Sequence, residues 1–409
     1  MELDVKDWLE EKTGESTLLG ICPMSNEIIK AALLEAEEKD FVPMFIATPR
    51  QVDADRGYTG WSQEELKEFV EDKGEEIDFD GQYLIARDHG GPYQSMRDRG
   101  DSDVELSQAI EFAEEMFAED VKAGFDILHV DATEDATVDG GLELSEVADR
   151  TTEIITFIEE VKEEEDIHEA YYEVGTEEII GGMTKPEDFE SFIELLKGEI
   201  TGEGGEEILE KLLFIVGQVG TRMRIDMTNQ FDPEQAETLV DIASDHGLFL
   251  KVHYTDWLEN SDLEKFPDLG IGAANVGPEF AASIIEALAE LEEKEKEKLE
   301  EADKKDECSG FMEILEDTAV HQAPWKKFAP DDLSDEELEE FAENNRENIA
   351  FCVGRYVMNE TQVLEARKRL YENIKEYSSI EDPHKVIIEK IRESIGRYVE
   401  AFDLKGTAD

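Results

Sequence analysis

Residues 103–131 read DVELSQAIEFAEEMFAEDVKAGFDILHVD. The first two-thirds space apolar residues three and four apart with acids between them, the pattern of an amphipathic helix. Gly124 stands where such a helix stops, and the run DILHV at 126–130 has the composition of a buried strand. The unit recurs along the chain. Short apolar runs at 17–22 (TLLGIC), 42–48 (VPMFIAT), 83–87 (YLIAR), 169–174 (EAYYEV), 212–217 (LLFIVG), 248–252 (LFLKV) and 270–276 (GIGAANV) alternate with helical stretches at 26–38, 63–73, 144–165, 186–196 and 233–246. Ser62 ahead of Glu65, and Thr184 ahead of Pro186, mark helix starts, and Gly247 marks a stop. Eight strand-then-helix units in about 285 residues predict an α/β fold of the (β/α)8 TIM-barrel class. A doubly wound open sheet would place a glycine-rich phosphate turn after its first strand, and Cys22-Pro23-Met24-Ser25-Asn26 is not one. We expect the barrel over residues 1–290 and a helical extension packed on it over 291–409. Beyond the last strand, helical patterns run at 278–305, 345–377 and 382–402, with a proline-broken stretch, HQAPWKKFAPDDLSDEELEEF, after the first.

The 409 residues carry 106 Asp and Glu against 39 Lys and Arg, a formal net charge of −67. Such a surface repels phosphate backbones and anionic lipid, so neither nucleic acid nor a membrane surface is an expected partner. The acids lie along the solvated faces of helices rather than in a tail, and no calcium-loop spacing occurs. In dilute buffer this charge opposes compaction, whereas molar salt shortens the screening length to about 3 Å. We read the acidity as adaptation to a salt-rich cytosol, as in halophilic archaea. No run of about 20 apolar residues could span a bilayer, and no basic region followed by an apolar stretch opens the chain, so a cytoplasmic protein is expected. Cys22, Cys308 and Cys352 are too widely spaced for a disulfide framework or a zinc knuckle.

Barrel chemistry sits at the C-terminal ends of strands. Those ends read Arg87-Asp88-His89-Gly90-Gly91-Pro92, His129-Val130-Asp131-Ala132, Tyr172-Glu173-Val174-Gly175-Thr176-Glu177, Gly217-Gln218, Lys251-Val252-His253-Tyr254-Thr255-Asp256 and Asn275-Val276-Gly277. Two histidines and one glutamate, His89, His253 and Glu173, are candidate ligands of a divalent metal with an open position for substrate. Zinc suits them best. Manganese becomes the choice if Asp131 or Glu177 joins. Asp88 beside His89 is the candidate general acid and base, or a carboxylate that orients the histidine. Gly175, Gly181, Gly182 and Gly277 could let backbone N–H groups approach an anion, and Arg50, Arg56, Arg97, Arg222 and Lys251 lie at or after strand ends in a chain otherwise poor in cations. The reading is a phosphorylated or otherwise anionic substrate, with Arg50 and Lys251 as its contacts. The competing readings are a polar plug filling the barrel mouth and counter-ions to neighbouring acids. Nothing points to a nucleotide or flavin, and no nucleophile stands beside an evident base.

Taken in order, GIC of the first strand, Gln51-Val52, Gly57-Tyr58-Thr59-Gly60, Asp88-His89-Gly90-Gly91-Pro92, Ala123-Gly124-Phe125 leading to His129-Val130-Asp131-Ala132, Gly175-Thr176-Glu177, Gly181-Gly182, His253-Tyr254-Thr255-Asp256, Val276-Gly277-Pro278 and Pro324-Trp325-Lys326-Lys327 form a series. In that series the chain resembles the tagatose-bisphosphate aldolase accessory subunits of the class II aldolase superfamily. The resemblance implies a barrel related to zinc-dependent ketose-bisphosphate aldolases, whose Asp-His pair corresponds to Asp88-His89. It also implies a later metal histidine at His253 and a substrate-contacting asparagine, catalytic in role, at Asn275. The catalytic enzymes carry a histidine in the sixth-strand segment, which here reads Gly217-Gln218-Val219-Gly220-Thr221, and a Gly/Ser phosphate loop where Tyr254-Thr255-Asp256 stands. Glu173, by contrast, matches the catalytic enzymes rather than the accessory subunits, and could replace the missing histidine. Three functions follow as expectations: an aldolase-system subunit acting on ketose phosphates, with a catalytic class II subunit as its partner; a self-sufficient metal-dependent aldolase or epimerase; and a non-enzymatic scaffold barrel. An oligomer is expected in each.

Overall fold

The computed structural model describes residues 3–138, 141–167, 170–176, 181–202, 204–330 and 333–408. Ten strands form: β1 (Leu18–Ile21), β2 (Met44–Ala47), β3 (Leu84–Gly90), β4 (Ile127–Val130), β5 (Tyr171–Gly175), β6 (Gly181–Met183), β7 (Leu212–Val216), β8 (Val219–Arg222), β9 (Phe249–Val252) and β10 (Ala273–Val276). Eight of them close a parallel barrel in the order β1-β10-β9-β7-β5-β4-β3-β2. It joins where Leu18 to Ile21 pair with Ala273 to Val276. The barrel strands are buried on both faces, which is why each reads as a near-continuous apolar run. β6 and β8 form a separate antiparallel pair near the barrel mouth, each following a barrel strand.

The helices between strands start and stop as their residues dictate. Ser62 and Glu65 make a reciprocal capping box at the head of Gln63–Glu76. Gly124, at φ 76°, ends Leu106–Ala123 and turns the chain into β4. Helices also form at Val5–Lys12, Phe311–Gln322 and Asp335–Asn344, which periodicity alone did not predict.

Beyond β10 the helix Pro278–Glu301 runs unbroken across 290/291, the boundary drawn from the sequence. The final helix, Pro383–Ala401, packs against it and against Asn26–Lys39, so the extension is seated on the outer ring of the barrel. The pattern at 345–377, read as one helix, is two. Arg346–Val353 gives way to a 3-10 turn, Gly354–Tyr356, before Thr361–Tyr377 resumes. Gly354 is pressed against the long helix, where a Cβ would lie 2.9 Å from Ile285 Cδ1. The turn and the loop after it carry Arg355 and Tyr356 over the barrel mouth. Among the described residues no helix is long and apolar enough to cross a membrane, and all three cysteines are free thiols.

Candidate functional site

Parallel strands deliver the side chains at their C-terminal ends to one mouth. β3 delivers two consecutive ones, because its pairing with β4 shifts register between Arg87 and Gly90, a bulge that re-aims the residues between. His89 there has a left-handed backbone, φ 52°, a conformation that a residue with a Cβ holds only when its surroundings impose it. Gly91 completes the turn. A Cβ at that position would lie 1.8 Å from the Asp131 carbonyl oxygen.

His89 Nδ1 lies 2.8 Å from Asp131 Oδ2. Burial raises the Asp131 carboxyl, but the hydrogen bond and charge of His89 outweigh it and bring it down to about 2. Ionised, Asp131 can only accept, so His89 donates to it through Nδ1, and Nε2 is the nitrogen that a metal could engage on displacing its proton. The backbone N–H of His89 donates to His129 Nδ1 at 3.1 Å, placing the proton of a neutral His129 on Nε2. That Nε2 is buried and has no hydrogen-bond partner among the described residues.

Beneath this edge, Asp88, His129, Glu173 and His253 bring one donor atom each to within 4.8 Å of one another, all four buried. His253 Nε2 lies 3.0 Å from Glu173 Oε1 and 3.6 Å from Asp88 Oδ1. His129 Nδ1 lies 3.4 Å from Glu173 Oε1 and 3.8 Å from Asp88 Oδ1. A tetrahedral ion with bonds of about 2.0–2.1 Å has ligand-to-ligand edges of about 3.3 Å. The two edges at His253 Nε2 straddle that value, and imidazole plus carboxylate is the donor chemistry of zinc, so His253, Glu173 and Asp88 fit a divalent metal, which His129 would join through Nδ1 only on giving up the His89 N–H. His89 stands beside this set rather than within it, its ring centroid 5.0 Å from that of His253. Glu177, the other oxygen donor considered from the sequence, lies outside the described residues.

Charge holds the two acids ionised. Burial pushes Asp88 up, yet the fields of His89 and His253 with contact from His129 carry its carboxyl far below the usual range. Glu173 is likewise raised by burial and lowered more strongly, by Lys251 and His129, to about 2. Lys251 was expected to contact substrate. Instead its ammonium is fully buried, lies 2.5 Å from Glu173 Oε2 and sits over the Phe214 ring, away from the cavity. Asn275 Nδ2 donates to Asp88 Oδ1 at 3.2 Å, while its own Oδ1 has no partner among the described residues.

A cleft of about 820 Å³, counted out to its open mouth, lies over this arrangement, lined by Asp88, His89, His253, Asn275 and Gly277 from the strand ends. Arg50 lines it too. Two of the glycines proposed as an anion cradle behave differently. A Cβ on Gly175 would meet Val216 at 3.0 Å, so that glycine serves packing. Gly277 gives its N–H to Asp256 Oδ1 at 3.0 Å and has none to offer an anion. Gly181 and Gly182 belong to the small antiparallel pair. Arg56 and Arg97 are counter-ions, paired with Glu65 at 2.6 Å and Glu115 at 2.7 Å. The residues that sequence reasoning missed are Arg99, Lys327, Arg355 and Tyr356, all lining the cleft, three of them from the extension. Pro324-Trp325-Lys326-Lys327 was visible as a motif, but nothing local says that it folds over the barrel.

Residues 6–385 match the family described as "D-tagatose-1,6-bisphosphate aldolase subunit GatZ/KbaZ-like". Among curated proteins, the D-tagatose-1,6-bisphosphate aldolase subunit GatZ of Escherichia coli (strain K12) is 24% identical over 333 residues, covering 78% of this chain and 76% of that protein. Its counterpart from Salmonella paratyphi B is 25% identical over the same shares. Among solved structures, a "probable tagatose 6 phosphate kinase" from Sinorhizobium meliloti 1021 superposes with TM-score 0.76 at 21% identity, over 94% of this chain and all of that one. The YdjI aldolase of Escherichia coli K12 superposes with TM-score 0.53 at 13% identity over the whole of both chains. At such identities the two structures speak for the barrel alone.

Proposed function

The chain belongs to the D-tagatose-1,6-bisphosphate aldolase subunit GatZ/KbaZ-like family, and on that premise we propose that it serves aldol chemistry on a ketose phosphate with a divalent ion at the barrel mouth. The observation that carries this reading is the convergence of Asp88, His129, Glu173 and His253 at separations of 3.0–3.8 Å. Glu173 and His253 belong to both donor sets the mouth offers. One set is completed by His129 and Asp88. In the other, His89 would enter through Nε2, since Asp131 holds Nδ1. Zinc is the expected ion and manganese the second choice. When bound, the ion supplies Lewis acidity to a substrate carbonyl.

The chain's own residues do the remaining work. Asp88, held ionised and left off the ion when His89 completes the donor set, accepts a proton from the substrate and returns it. Asn275 holds that carboxylate from one side and keeps its Oδ1 for a substrate hydroxyl. Arg50 faces the anionic end of the substrate in the same cleft.

The test is metal analysis of protein purified alone in high salt, with an aldol-cleavage assay of ketose bisphosphates on the same sample. About one zinc or manganese per chain together with turnover supports the reading. No metal and no turnover under saturating zinc and manganese overturns it. His89→Ala and His129→Ala, compared for metal content, assign the donor set.

A second reading has one observation of its own. Lys251 occupies Glu173 Oε2 at 2.5 Å, and so offsets one of the two carboxylate charges without an ion. The barrel would then be the subunit that sustains a catalytic class II aldolase partner. Cleavage that appears only when that partner is added, with no metal on this chain, decides for it.

A further inference from the structure

The cleft holds a feature that the donor cluster does not explain. Arg50, Arg99, Lys327 and Arg355 all line it, in a chain where acids outnumber bases 106 to 39. Among the described residues none of the four forms an ion pair. Elsewhere a basic side chain with this many acids around it finds one readily, as Arg392 does with Glu35, Glu38 and Glu389. What the four touch is mostly neutral. Arg50 and Arg355 each lie against the Tyr356 ring, their guanidinium carbons 5.0 and 4.5 Å from its centre. Arg355 also donates to the Cys352 carbonyl and, at 3.3 Å, to the Tyr356 hydroxyl. Arg99 reaches Gln94 Oε1 only at 3.5 Å. The Nε atoms of Arg50 and Arg355 are buried with no acceptor among the described residues.

Four cations held this close repel one another. Burial, followed by the fields of Arg50, Arg99 and Arg355, brings the Lys327 ammonium down to about 8. Tyr356, raised by burial, is lowered further by Arg355, Arg50 and Lys327, also to about 8, so even a phenol is drawn toward its anion. Glu134 is the carboxylate whose field reaches Arg99 and Lys327, and it has its own burial penalty. The negative surface of the molecule does not relieve this repulsion, because molar salt screens it within about 3 Å. A local anion does. Three guanidinium groups and an ammonium with unspent donors match the oxygens of a phosphate monoester.

We infer that Arg50, Arg99, Lys327 and Arg355 form a phosphate subsite, which the C-terminal extension completes by laying Lys327 and Arg355 over a cleft the barrel leaves open. The extension thereby selects phosphorylated substrates, a statement that rests on the aldol reading only for what the rest of the substrate is. Lys327 lies in the 3-10 turn Trp325–Phe328 and Arg355 in Gly354–Tyr356, so the subsite exists only when both turns are docked.

The probe is inorganic phosphate, titrated by calorimetry into full-length protein stripped of divalent ions, at a constant KCl concentration of about 2 M. The wild type is expected to bind it. Lys327→Met and Arg99→Met are each expected to weaken binding about tenfold or more, the worth of one charge-assisted hydrogen bond. Lys327→Arg is expected to keep most of it, and thermal melts of each variant separate lost binding from lost fold. No heat from the wild type, or equal affinity in Lys327→Met and wild type, overturns the subsite. So does phosphate binding that appears only after zinc is added, since the anion then sits on the donor cluster and the metal reading survives. Binding without metal in a protein that never cleaves a ketose bisphosphate keeps the subsite and removes the enzyme reading.

Discussion

Asp88 sits among imidazoles with an asparagine fixing one of its oxygens, an arrangement that keeps a base ionised and aimed. Asp88→Ala is expected to lower aldol turnover by about 10²–10⁴-fold with fold and metal content preserved, measured as kcat beside metal stoichiometry. A parallel loss of metal would make Asp88 a ligand and remove its proton role. Asp256 presents the opposite case. Burial, with Glu279 nearby, pushes its carboxyl up to about 7, although Gly277 and Glu279 donate their N–H groups to it. Its folded value lies above its unfolded one, so its contribution to stability is full at acidic pH and is lost as pH rises toward 7. Asp256→Asn keeps an acceptor oxygen for both N–H groups and removes the charge. It should gain on the order of 1–3 kcal/mol over wild type at about pH 8 and little at about pH 4, read from urea unfolding at each pH. An equal difference at both would show that ionisation is not the cause. The sequence made some residues of the site legible and hid others for a physical reason. Asp88, His253 and Asn275 are strand-end residues, and periodicity finds strand ends. His129 sits at a strand end as well, but what makes it part of the site is the contact of its Nδ1 with the His89 N–H, Asp88 and Glu173, groups from two other strands that no local pattern announces.

At the scale of elements, β3 is anchored to the helix that follows it by a buried pair. Arg87 donates Nε to Asp120 Oδ2 at 2.7 Å and Nη2 to Oδ1, while Nη1 reaches the carbonyls of Ala47 and Val52 at 2.9 and 2.8 Å. The fork therefore ties the helix Leu106–Ala123, β2 and the loop after β2 to the strand that carries Asp88 and His89. Asp120→Ala leaves a guanidinium buried without its counter-charge and is expected to cost about 3–5 kcal/mol in equilibrium unfolding. Arg87→Met with Asp120→Leu should recover much of that, because the charges then leave together. If the double variant were no better than the single, the pair would matter for shape rather than charge. The eight barrel strands were legible because each is buried on both faces and reads as a short apolar run between helical periods. The break at Gly354–Tyr356 was not. Arg346–Val353 and Thr361–Tyr377 share a helical period, and what separates them is a close approach to Ile285, about 70 residues earlier in the chain. That unseen break is what brings Arg355 to the cleft.

At the scale of the whole molecule, two opposite electrostatic designs share one chain. The surface carries a net charge of −67, whereas the cleft gathers four cations with no carboxylate paired to them among the described residues. At low salt the negative shell repels an approaching anion at long range, and the cleft attracts it only locally, through contacts that chloride contests as KCl rises. The two designs therefore respond to salt in opposite directions. Folding should strengthen as KCl rises, because like charges on the solvated helix faces stop repelling. Phosphate affinity should weaken, because chloride competes for the same guanidinium groups. Melting the protein at about 0.1 M and about 3 M KCl checks the first, and a large rise in Tm is expected, with the fold loosening below about 0.5 M. A Tm that does not move would mean that the acidity is balanced within the fold and is not an adaptation to salt. The repeat with KCl replaced by an uncharged osmolyte separates screening from exclusion at the surface. If the osmolyte restores Tm as well as the salt does, the surface charges are not what the salt was relieving.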